Sequence, residues 1–129
     1  MDGINELFLR LKKIRDQLET LRSVRKGTRE RRDQKYRQMD ASEAAFTRVW
    51  RGQYTEAERN SDSGREYKAA SVRRYMDVWE EILKFDKHLV QLDNQINAEE
   101  ARLREAQLAL WDEQDLKKSL MLGNPGSNW

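Results

Sequence analysis

Apolar residues along the first fifty positions recur at alternating spacings of three and four. Ile4, Leu7, Leu11, Ile14, Leu18 and Leu21 form an a/d heptad seam over three repeats, the signature of a helix packed along its length against another. Continuing that register places Arg25, Thr28 and Arg32 in the seam. The apolar pattern resumes four residues out of phase at Tyr36, Met39, Phe46 and Trp50, with Glu43 interrupting. Such a phase change is a stutter, which unwinds a supercoil locally without ending the helix. Gly27 lies in the weak region and Gly52 near its end; each costs about 1 kcal/mol relative to Ala within a helix, so the middle of the first helix is expected to be its softest part. The second half is more regular. Tyr75, Val78, Ile82, Phe85, Leu89, Leu92, Ile96, Glu99, Leu103, Ala106 and Leu110 hold one register, with Glu99 its only charged member. The seam weakens at Glu113 and Lys117 and recovers at Leu120, before Gly123 and Pro125 supply a stop.

Between the two patterns lies ERNSDSGREY, residues 58 to 67. Ser63 and Glu66 have capping-box spacing, so a helix is expected to start at Gly64, with the preceding NSDS as a short turn. Short helix-to-helix connections join antiparallel neighbours. The expected fold is therefore all-α: a long antiparallel two-helix coiled-coil hairpin spanning 1–122. Its first helix covers about 3–59, its tip lies near 60–63, its second helix covers about 64–121, and 123–129 form a flexible tail. Arms of this length would reach roughly 80 Å at 1.5 Å per residue. A three-helix bundle broken near Gly27 and an intermolecular coiled coil are the competing architectures.

Charge bears on the pairing. Residues 22 to 37 carry eight Lys or Arg and two acids, whereas residues 93 to 115 carry seven acids and two Arg. Folding at position 62 or 63 brings the blocks together, with Arg25 near Glu99 and Glu100, and Arg32 near Asp93. Complementary charges set register in coiled coils. Charged and hydrophobic residues each make up 37% of the chain, a balance that suits long helices laced with ion pairs better than a thick core. The absence of cysteine excludes disulfide and thiolate chemistry and indicates a reducing, cytoplasmic compartment. No stretch approaches the ~20 apolar residues of a membrane span, and MDGINELFLRLKK does not read as a secretory signal.

No catalytic residue, cofactor site or metal site is expected. His88 is the only histidine and sits beside the seam, the carboxylates alternate with Lys and Arg at helical spacing, and no glycine-rich phosphate loop precedes a helix. The basic block raises nucleic-acid binding as one alternative, but the acidic block beside it would cancel much of its field. The aromatic residues point instead to protein partners. Trp50, Tyr54, Tyr67, Tyr75 and Trp79 gather near the tip, and Trp111 and Trp129 near the open end. Trp79 and Tyr54 fall off the seam, and Trp and Tyr are enriched in binding hot spots. Trp50, Tyr54, Tyr67 and Trp79 are thus the candidate partner surface at the tip.

The stretch FTRVWRGQYTEAER, followed across the turn by VRRYMDVWEEILKFDKHLVQLDNQINAEEARLREAQLAL, resembles the central-stalk proteins of bacterial type III secretion systems. These are the YscO and HrpO group, with the flagellar FliJ stalk as a relative. The resemblance implies a mechanical, non-enzymatic role: one end of the hairpin inserts into a hexameric export ATPase and the other reaches the export gate, with secretion chaperones as further partners. It implies a cytoplasmic protein held at the inner face of the membrane through the apparatus. On this chain the ATPase contact is expected at the open end, around Arg10, Lys12, Lys13 and Trp111, and the gate or chaperone contact at the tip aromatics. The alternative is a generic coiled-coil adaptor or scaffold subunit with no export machinery involved.

Overall fold

A computed structural model describes residues 3–121; the expected tail at 123–129, with Trp129, lies outside the described residues. Three helices are present: α1 (Gly3–Gly52), α2 (Glu56–Arg59) and α3 (Asp62–Met121). The two long helices pack against each other as an all-α hairpin, with no strand among the described residues. α1 runs unbroken through Gly27, so the three-helix bundle is excluded. The stutter is accommodated inside one helix, as its spacing predicts: Thr28 is buried, Arg32 and Tyr36 are half-buried, Met39 is buried again, and Glu43 points to solvent. The seam bends through the polar positions and does not stop at them.

The described residues divide into two compact units, one made of residues 3–24 and 92–121 and the other of residues 25–91. In the first, Leu11, Ile14 and Leu18 of α1 pack with Ile96, Ala106 and Leu110 of α3. Ile4, Leu7, Leu21 and Leu103 flank this core. These are the a/d positions of the two heptad patterns. Glu99 is buried in the same seam and accepts a hydrogen bond of 2.6 Å from Arg102 Nη1, one helical turn on. Arg22 pairs with Glu100 at 3.7 Å. Leu120 is 72% exposed, so the expected recovery of the seam at the end of α3 does not occur.

The second unit contains the tip, where structure and expectation differ. α1 ends at Gly52 and not near 59, because Thr55 opens a separate helix. Its hydroxyl accepts from the Glu58 amide at 3.2 Å while the Glu58 carboxylate accepts from the Thr55 amide at 3.1 Å, a complete capping box. α3 begins at Asp62 and not at Gly64. Its cap is Ser61, whose Oγ accepts from the Gly64 amide at 3.1 Å and donates to the Glu58 carbonyl at 2.5 Å; Ser63 and Glu66 lie inside the first turns. Gly64 is buried there, its Cα pressed against the backbone of α2. A Cβ at this position would overlap the Glu58 carbonyl oxygen and lie 2.8 Å from Arg59 O and 2.9 Å from Arg59 Cα. The reversal thus occupies residues 53–61 instead of 60–63.

Moving the reversal moves the register. Arg32 bonds Asp86 at 3.2 Å, one heptad nearer the tip than the expected Asp93, and Lys35 bonds Glu81 at 2.6 Å. Met39, Ile82 and Leu89 are the buried hydrophobic residues of this unit.

Candidate partner-binding surfaces

The tip is organised by rings. Phe46 stacks on Trp50 and on Tyr67 at centroid distances of 5.5 Å each. Tyr54 lies 5.3 Å from Trp50 and 5.2 Å from Tyr67, and Trp50 and Tyr67 stack at 6.3 Å. Four rings from the end of α1, the loop and the first turns of α3 therefore form one closed cluster, stacked in every contact but the tilted Trp50–Tyr54 pair, and such aromatic pairs contribute about 0.5–1.5 kcal/mol each beyond area burial. All four rings are half-buried. Arg59 locks the cluster from the α2 side. Its Nε donates to the Trp50 carbonyl at 2.9 Å, and its Nη2 donates to the carbonyls of Tyr54 at 2.9 Å and Arg51 at 3.3 Å. The last carbonyls of a helix lack intrahelical donors and carry partial negative charge, so a guanidinium placed there both caps and compensates.

Of the four tip residues singled out in the sequence, Trp50, Tyr54 and Tyr67 are brought together. Trp79 is not: it stands on the outer face of α3, 36% exposed, outside the ring cluster. Phe46, read from the sequence only as a seam residue, is the fourth member instead. Beside the cluster a groove of about 410 Å³ opens between α1 and α3, floored by Phe46, Tyr67 and Tyr75 and walled by Ser42, Ala45 and Ser71. Glu43, Thr47, Val72 and Arg74 complete its lining, so the α1 seam position at this level is the exposed carboxylate Glu43 and not an apolar residue that would fill the space.

At the other unit, Lys12 and Trp111 line one groove of about 480 Å³ together with Phe8, Arg15 and Gln107. Trp111 is 59% exposed and Phe8 50%, so two large apolar side chains stand in water next to two cations. Arg10 lines a different groove, with Glu6, Asp112 and Glu113. Lys13 is exposed and lines neither. The open-end set is thus split: Lys12 and Trp111 share a surface, and Arg10 faces an acidic one. Phe8 and Arg15, absent from the sequence-based set, belong with Lys12 and Trp111; Phe8 directly follows the seam residue Leu7, an adjacency that could have signalled it.

Three of the eight cations in the basic block of 22 to 37, Arg22, Arg32 and Lys35, pair with an acid of α3. The hydrogen bond that Arg32 donates to Asp86 raises the pKa of Arg32 above its ordinary value, ahead of the opposing effect of burial, and fixes the guanidinium as a charged seam element. Among the described residues no group of three or more His, Cys, Asp and Glu converges as a metal site would require, and no helix is long and apolar enough to cross a membrane. Compared with known protein families, curated proteins and solved structures, the chain matches none.

Proposed function

We propose that this chain is a non-enzymatic coiled-coil stalk that works by holding protein partners at the two ends of its hairpin. In its specific form, the stalk links a hexameric export ATPase to the export gate of a bacterial type III secretion system, in the cytoplasm. The observation that carries the general reading is the open-end groove, where exposed Phe8 and Trp111 stand beside Lys12 and Arg15. Exposed aromatics next to cations are the composition of protein-binding hot spots and are unfavourable to leave in water. The resemblance of FTRVWRGQYTEAER and the α3 stretch to the stalk family supplies the specific form. The ATPase contact then falls on Lys12, Trp111 and their groove neighbours, with Arg10 and Lys13 on flanking faces of α1. The tip cluster presents a rigid aromatic end to the gate or to a chaperone.

The test is reconstitution with the purified hexameric export ATPase of the same system. The chain is expected to bind it and to stimulate hydrolysis, and the Arg10→Glu/Lys12→Glu/Lys13→Glu variant to lose stimulation while keeping its helix content. An ATPase that neither binds nor responds would leave the adaptor reading in its place. Stimulation unaffected by the triple reversal would refute the placement of the contact.

A further inference from the structure

α3 carries a second heptad seam that the hairpin does not use. Val72, Met76, Trp79, Leu83 and Val90 follow one another at alternating spacings of four and three, with Asp86 filling the one missing position. Each lies one residue on from a seam position, so the stripe runs beside the intramolecular interface and not within it. All five side chains are between 36% and 60% exposed. Past Val90 the same register meets Asp93, Asn97, Glu100 and Arg104, so the stripe has a defined length. A five-member a/d stripe confined to one stretch of helix is the pattern of a helix awaiting a partner helix.

The flanking charges say which partner. The heptad position on the open side of the stripe is occupied in turn by Glu66, Arg73, Glu80 and Lys87, all exposed and none ion-paired among the described residues. The position on the other side holds Tyr75, Ile82 and Leu89, which belong to the hairpin's own seam. Two parallel copies would therefore gain no charge pairing. Two antiparallel copies centred between Met76 and Trp79 face Met76 with Trp79 of the second copy and Val72 with Leu83 of the second copy. In that register Arg73 meets Glu80 of the second copy and Glu66 meets Lys87 of the second copy, each pair occurring twice by symmetry. Asp86, already bonded by Arg32, falls opposite the small Ala69 of the second copy. A +/− alternation that is self-complementary only when reversed is what an isologous two-fold interface requires.

We infer that the chain forms an antiparallel homodimer through residues 65–90 of α3, Val90 facing Arg65 of the second copy at either end. This goes beyond the stalk reading and does not depend on it. The strip is narrower than the ~800 Å² per partner of a standard interface, so the expected dissociation constant is on the order of 10–100 µM. Sedimentation equilibrium of the full chain up to 1 mM is the test. The wild type is expected to show a monomer–dimer equilibrium, and Leu83→Glu to be monomeric with unchanged far-UV circular dichroism. Arg73→Glu and Glu80→Arg should each weaken association roughly ten-fold by creating two like-charge pairs. An equimolar mixture of these two variants restores both pairs and should recover wild-type affinity. A chain monomeric at 1 mM, a dimer indifferent to Leu83→Glu, or single variants that stay weak when mixed would each overturn the inference.

Discussion

Replacing Gly64 by Ala tests the tip geometry most directly, because propensity and packing predict opposite signs. On helix propensity alone the change should stabilise α3 by up to about 1 kcal/mol. The structure says otherwise. The new Cβ would overlap the Glu58 carbonyl and lie under 3.0 Å from Arg59 O and Arg59 Cα. These are backbone atoms, which cannot rotate away as a side-chain end could. Making room means separating the start of α3 from α2, and that strains the Ser61 Oγ bonds to Gly64 and Glu58 and pulls Arg59 from the three carbonyls it caps. Overpacking costs about 1–3 kcal/mol and a lost N-cap about 1, so after the propensity gain the net destabilisation should be about 1–3 kcal/mol.

The assay is urea denaturation followed by far-UV circular dichroism, paired with hydrogen exchange of the peptides covering residues 46 to 67. Gly64→Ala should lower the midpoint and speed exchange in those peptides. Gly52→Ala is the control: a Cβ there meets nothing within 4 Å, so it should be neutral or stabilising by up to about 1 kcal/mol. If Gly64→Ala proved as stable as the wild type with tip exchange unchanged, the close approach of α2 to α3 would be wrong.

Two further outcomes follow from single contacts. The Thr55 backbone hydrogen bond, with its side-chain bond beside it, lowers the pKa of Glu58. The capping box therefore contributes fully above the ordinary carboxylate pKa and is lost as pH falls through the lowered folded value; an NMR titration of the Thr55 amide should follow that step, and Glu58→Gln should abolish it. Glu99→Leu replaces a buried carboxylate between Ile96 and Leu103 with a seam residue of similar size, and should raise stability by about 1–2 kcal/mol in thermal denaturation; a lower melting temperature would show that the polar position is a net stabiliser.

The two long helices were legible because a 3.5-residue period sustained over many heptads admits few other structures. From Val78 to Leu110 nearly every predicted seam position of α3 is buried or half-buried. The tip was not legible to the same depth, and the reason is competition between caps. Thr55-x-x-Glu58 and Ser63-x-x-Glu66 both have capping-box spacing, and only the first forms. The cap that starts α3 is Ser61, whose partner three residues on is a glycine, so no pattern of side chains announces it. That glycine is selected by the approach of α2, a tertiary fact.

The charge argument found the right partners for the basic block in kind and missed them in register, again for a physical reason. Acids stand on α3 at Asp77, Glu80, Glu81, Asp86 and Asp93, so a basic helix sliding along it meets a carboxylate at almost every step. Exposed pairs contribute only about 0.2–1 kcal/mol each, so such a surface favours pairing without choosing its phase. Within residues 25–91 the phase is set by the tip, where ring stacking and the Arg59 cap fix where α1 must end, and the Arg32–Asp86 and Lys35–Glu81 pairs follow from that. The same logic explains Trp79. Its heptad position places it off the seam, and proximity in sequence to the turn does not bring a side chain onto the cluster. The rings that do converge are those whose spacing returns them to the seam side: Phe46 and Trp50 one helical turn apart on α1, with Tyr67 arriving from α3 across the turn. Trp79, one position past Val78, is turned to the outer stripe instead, beside Met76 and Leu83. An aromatic residue near a turn thus has to be assigned by its phase before its distance, and by phase Trp79 belongs to the unpaired seam of α3.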